Sequence, residues 1–231
     1  SLAGTAVNCA GGVIPWGSWL TCEETEEGVA DGLTEDHGWV FEVPSRETGL
    51  ADPTPIKAMG RFLHEAACID PRTGVVYLTE DKRDGLFYRY LPEDPRHLHK
   101  GGRLQALALV DTASGDTRNW DSLYWRQGER RAVRWIDMQH VESPDADLRH
   151  RGHAAGAALF ARGEGLHWAG DHLYMTCTTG GVGRHSQIMR YTPSPREGQS
   201  DEHGQPGVLD LFVEAGDRAV LDYVDNIAVA P

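Results

Sequence analysis

Three residues carry the first chemical signal in the 231-residue chain: Cys9 in NCAGGVIPWG, Glu65 in HEAACIDPRTG and Glu164 in GEGLHWAGD. Each stands near the start of a segment that leads into a run closing on Thr and polar residues: SWLTCEE, VVYLTED and HLYMTCTTGG. Counted back from the aromatic of the strand, the thiol and the two carboxyls fall at or within two residues of one place. Thiolate and carboxylates brought together make metal chemistry. Oxygen donors suit Ca²⁺ and other hard ions, and a thiolate recruits a softer or trivalent transition ion. Several carboxylates within a few ångströms also cannot all stay ionised without compensating positive charge. A mixed Cys/Glu set is therefore consistent with iron beside calcium.

Other residues join this set by position. The pairs Glu23-Glu24 and Glu80-Asp81 recur just after the Thr of two copies, and Asp225-Asn226 opens the closing run DNIAVAP. Arg162 precedes Glu164 by two residues, so on an extended strand both point to one face. A guanidinium beside bound cations calls for an anion between them, which makes Arg162 a candidate clamp for phosphate or carboxylate. A plain ion pair with Glu164 explains it equally well. Of the four cysteines, Cys22, Cys68 and Cys177 read as core packing, and Cys9 taken alone fits a small buried apolar residue. No C-x-x-C pair, H-E-x-x-H, nucleophile elbow or phosphate loop appears, so zinc, triad and nucleotide readings lack support.

These residues must be positioned by strands. SWLTCEE with GWVFEVPS, VVYLTED with GLFYRYLP, and HLYMTCTTGG with SQIMRYTPS are three copies of one unit: a strand, a loop and a second strand closing on Pro. With the strand before each pair, repeated antiparallel units and few helical windows predict an all-β fold, a β-propeller whose innermost strands converge on a channel. DNIAVAP reads as the first strand of a fourth unit. A β-sandwich of unrelated hairpins is the competing architecture. The whole span 1–231 reads as one partial propeller domain.

With 22 Lys+Arg against 35 Asp+Glu, the net charge of −13 repels phosphate backbones and argues against nucleic acid as a partner. No apolar run is long enough to insert in a membrane. Ser1 is not followed by a basic and then an apolar stretch, so the chain reads as a mature or excised piece.

NCAGGVIPWGSWLTCEE, GRFLHEAACIDPRTGVVYLTED, ARGEGLHWAGDHLYMTCTTGG and DNIAVAP resemble, in order, the PhoX family of secreted bacterial alkaline phosphatases. The resemblance implies a propeller holding an iron–calcium cluster (Fe³⁺, Ca²⁺) bound by a Cys and several acids, phosphomonoester hydrolysis, and a periplasmic or extracellular location. It implies Glu65 and Glu164 as cluster ligands, Glu23, Glu24 and Asp225 as calcium partners, and Arg162 as the phosphate-contacting arginine. Glu80, Asp81 and Asn226 extend the candidate set. By motif alone the iron-binding cysteine is Cys9 or Cys22; the internal repeat selects Cys9. The family continues past DNIAVAP, so truncation at both ends is expected. The alternatives are a calcium-stabilised binding propeller without catalysis and a propeller lactonase-type hydrolase, neither of which needs the thiol. The residues leave oligomeric state open.

Overall fold

Strand follows strand through the computed structural model, which describes residues 2–46 and 48–230. A first unit holds β1 (Asn8–Ile14), β2 (Ser18–Glu23) and β3 (Val40–Pro44); a second holds β4 (His64–Ile69), β5 (Val76–Glu80), β6 (Phe87–Pro92) and β7 (Gly102–Leu109). After β8 (Arg130–Asp137) and the short helix α1 (Leu148–Ala154), a third unit holds β9 (Gly163–Ala169), β10 (His172–Cys177), β11 (Gln187–Thr192) and β12 (Val208–Glu214). Within each unit neighbours pair antiparallel, and the fold is all-β with three propeller blades.

The repeat read from the sequence corresponds to the first three strands of each blade. The outer strands were not part of it. β8 pairs with β7 through Val133–Asp137 and with β12 through residues 130–132, and so ties the second blade to the third. DNIAVAP differs from its expected strand: residues 225–230 form none, although the Gly165 N–H donates to the Asp225 carbonyl at 3.3 Å, which lays the run beside β9.

β5 shows why the blades stack. Successive side chains of a strand point to opposite faces. Val76 and Leu78 enter one core with Leu20, Cys22, Val40 and Tyr88, while Tyr77 enters a second with Phe87, Met175, Cys177 and Met189. A strand buried on both faces needs a near-continuous apolar run, and VVYLT supplies it. The first core lies between blades one and two, the second between blades two and three. Cys22 and Cys177 are fully buried in them, as expected for packing, and Cys68 packs partly buried against the second. All four cysteines are free thiols, Cys9 and Cys22 included, although these two stand directly opposite across β1 and β2.

The inner strands meet closely. β1 runs parallel to β4 at Gly11 and Ala66, and a Cβ on Gly12 would stand 1.9 Å from the Ala67 carbonyl oxygen. Only glycine permits this approach. Gly12→Ala is therefore expected to force the blades apart at a cost of about 1–3 kcal/mol, seen as a lower urea midpoint; an unchanged midpoint would show that the seam does not depend on this contact.

Candidate metal centre

β1, β4 and β9 begin at one end of the fold, and their first residues bring the acids together. Cys9, the second residue of β1, donates its thiol to Glu65 Oε1 at 3.2 Å; Glu65 is the second residue of β4. Glu24 follows β2 directly. Cys9, Glu24 and Glu65 offer ligand atoms within 4.8 Å of one another, and so do Glu65, Glu164 and Asp225. The two groups share Glu65.

Local sequence explains the convergence. Gly165 has Asn226 beside it: a Cβ there would lie 2.8 Å from the Asn226 Cα, so glycine lets the closing run approach β9 and delivers Asp225 to Glu164. The Thr176 hydroxyl also donates to the Asp225 carbonyl. Thr79 Oγ1 donates to the Glu164 carbonyl at 2.6 Å and accepts the Ala66 N–H at 3.0 Å, which fixes β4, β5 and β9 at one level. Thr178 Oγ1 then holds Glu164 Oε1 at 2.9 Å.

Arg162 sits at the rim with φ +58°, a left-handed conformation disfavoured for residues with a side chain. Its N–H bonds the Lys82 carbonyl and its carbonyl takes the Thr178 N–H, so two neighbouring loops impose the strain. The guanidinium grips Asp81 through Nε and Nη2, both at 2.6 Å, and reaches Glu164 Oε1 at 3.0 Å. The ion pair anticipated with Glu164 exists, and Asp81 is the stronger partner.

Charge in this cluster is unbalanced. Glu24, Glu65, Asp81, Glu164 and Asp225 face one guanidinium. Burial pushes Glu65 up to about 7, against the pull of the Cys9 hydrogen bond, and pushes Glu164 up to about 8, with Asp81 adding repulsion. Glu24 is raised by burial and then by its contact with Asp81. The Cys9 thiol is pushed up to about 12 by burial and by the Glu65 carboxylate. Glu65 Oε2 is buried without a hydrogen-bond partner. An orphaned carboxylate oxygen, a thiol and converging acids fit a cation set of hard and softer character.

Four further sequence candidates lie outside the two ligand groups. Glu23 is fully buried, and both its oxygens are taken: Oε1 by the Ala6 N–H and His37 Nδ1, Oε2 by the Gly38 and Trp39 N–H groups. It closes the loop before β3. Glu80 is buried under β6, where Oε2 accepts from the Leu86 N–H and the Tyr88 hydroxyl. Burial lifts it to about 8, and it belongs to neither ligand group. Cys22 lies in the core. Asn226 passes β9 with its side chain exposed.

A family model described as "Alkaline phosphatase PhoX" matches residues 1–231. No curated protein matches the chain. Among solved structures, Pseudomonas fluorescens PhoX in complex with vanadate, a transition state analogue, is similar in fold, with a TM-score of 0.65 and 23% identity. The match covers 95% of this chain and 49% of the other, so the chain spans about half the length of that structure.

Proposed function

The chain belongs to the PhoX alkaline phosphatase family, and on that premise we propose that it serves metal-dependent hydrolysis of phosphomonoesters at the acidic end of the propeller. The observation that carries this reading is the pair of ligand groups sharing Glu65, with Arg162 set against them. Cys9, Glu24 and Glu65 would hold iron, and Glu65, Glu164 and Asp225 would hold calcium. These cations supply Lewis-acid polarisation of the phosphoryl group and neutralise charge that develops on it.

The chain's own residues do the rest. Arg162 presents Nη1, which neither Asp81 nor Glu164 takes, to a non-bridging oxygen. Asp81 holds the guanidinium plane, and Thr178 and Thr79 hold Glu164 on its strand. The vanadate in the Pseudomonas fluorescens structure supports a mouth shaped for a phosphoryl group. The family's secreted character supports a periplasmic or extracellular location. Among the described residues, no helix is long and apolar enough to cross a membrane.

Hydrolysis of p-nitrophenyl phosphate by protein loaded with iron and calcium tests the proposal, alongside elemental analysis and an optical spectrum. Turnover with bound iron and a thiolate charge-transfer band is expected. Arg162→Ala is expected to lower kcat by about 10²–10³-fold with metal content unchanged. Calcium alone, with no turnover, would replace the phosphatase by a calcium-stabilised binding propeller.

A further inference from the structure

Beside Arg162 lies a second cationic feature that the acidic centre does not use. The guanidinium carbons of Arg118, Arg184 and Arg83 stand 4.3, 4.6 and 5.4 Å from the ring centroid of Trp120. Trp120 is fixed by its Nε1–H on the Thr179 carbonyl at 2.6 Å. Three positive groups on one indole gain cation–π attraction and repel one another.

Their compensation is uneven. Arg118 is neutralised by Asp116 through Nε at 2.7 Å and Nη2 at 2.6 Å, and its Nη1 donates to the Arg83 carbonyl. Among the described residues, Arg83 and Arg184 have no carboxylate partner, and both side chains are exposed. The adjacent Asp84 takes Arg149 instead. In a chain of net charge −13, two guanidiniums without an ion-pair partner on one ring concentrate positive charge, with Asp84 and Asp121 close enough to act on the neighbouring Arg118.

The patch is tied to the rim. Lys82, the residue before Arg83, accepts the Arg162 N–H; Thr179, which anchors Trp120, follows the Thr178 that holds Glu164. Gly181, at φ +90°, donates its N–H to the Arg118 carbonyl, and this turn presents Arg184. The loops after β5 and β10 thus carry the metal-side residues and these arginines on one backbone frame.

Resting on the phosphatase reading, we infer that Arg83 and Arg184, carried by Trp120, form a subsite for a second anionic group of the substrate. The favoured class is phosphomonoesters bearing a further phosphate or carboxylate. The indole already carries three cations, so what the patch lacks is an anion, and guanidinium forks match phosphate and carboxylate oxygens.

Calorimetry with non-hydrolysable probes tests this on the metal-loaded protein: propylphosphonate against α,ω-alkylene bisphosphonates of graded length. The best-fitting bisphosphonate is expected to bind roughly tenfold tighter than propylphosphonate, as one additional charge-assisted contact implies. The double variant Arg83→Ala/Arg184→Ala should erase that preference, leaving propylphosphonate affinity unchanged and the protein folded. No preference in the parent protein, or one that survives in the variant, overturns the inference. If propylphosphonate fails to bind while a bisphosphonate binds through the two arginines, the phosphatase reading falls and the anion subsite stands. If neither probe binds, both fall.

Discussion

Arg89→Ala is expected to destabilise the fold by about 3–5 kcal/mol, the scale seen when one member of a buried ion pair is removed. Arg89 on β6 is 2% exposed. Its Nε donates to Gln105 Oε1 at 2.7 Å, Nη1 to Glu197 and Glu202, and Nη2 to Glu202 Oε2 at 2.6 Å, while the guanidinium lies 4.4 Å from the Trp135 ring centroid. Glu197 also accepts from the Tyr77 and Tyr191 hydroxyls. Arg89 and Gln105 belong to the second blade, whereas both glutamates lie between β11 and β12 of the third. Alanine would leave two carboxylates facing each other at the blade junction without a cation. The expected result is a clear drop in urea midpoint, largely restored in Arg89→Met/Glu197→Gln/Glu202→Gln, because an uncharged network carries no stranded charge. A loss below about 1 kcal/mol in the single variant would mean that water reaches this junction and screens the pair.

The same junction marks where sequence patterns stop being informative. VVYLT and HLYMT announce strands because apolar residues alternate or run together between Gly, Pro and Asp. β8, RRAVRWID, has no clean alternation; three of its eight residues are exposed and one is buried, and its meaning comes from pairing with β12 some 78 positions later. Local periodicity cannot carry a contact of that sequence separation. Helix α1 has only two buried residues and no apolar stripe to reveal it.

At the centre, the repeat exposes Cys9, Glu65 and Glu164 because the inner strands start level with one another. The acid pairs were less legible, since adjacent residues on an extended chain face opposite ways. Glu24 turns toward Cys9 while Glu23 turns into the Gly38 and Trp39 amides; Asp81 turns toward Arg162 while Glu80 turns under Tyr88. A period-two signal was present: Thr79 faces β9, so Asp81 does too, and Glu80 does not. The Arg89 network and the Trp120 patch have no counterpart in the repeat.

Glu65→Gln is expected to separate a ligand role from a structural one. Glu65 is shared by both ligand groups, so the amide should cost metal retention at both, beyond the roughly 10–100-fold of a second-shell change. Folding should respond in the opposite sense. In metal-free protein, Glu65 and Glu164 are raised to about 7 and about 8, above the ordinary carboxylate range of the unfolded chain. The folded state therefore holds protons that the unfolded state has released, and stability present at pH 5 is lost as pH rises through 7 and 8. Removing the Glu65 charge should flatten that decline, so metal-free Glu65→Gln melts no lower than the parent at pH 8. Calcium should restore the parent at that pH by pairing the ionised acids, and should restore the variant far less. Glu23→Gln provides the contrast: its four donors serve the fold, so it should lose stability at every pH while keeping its metals. A Glu65→Gln variant that melts lower at pH 8 yet retains iron and calcium would return Glu65 to the fold and remove the centre built around it.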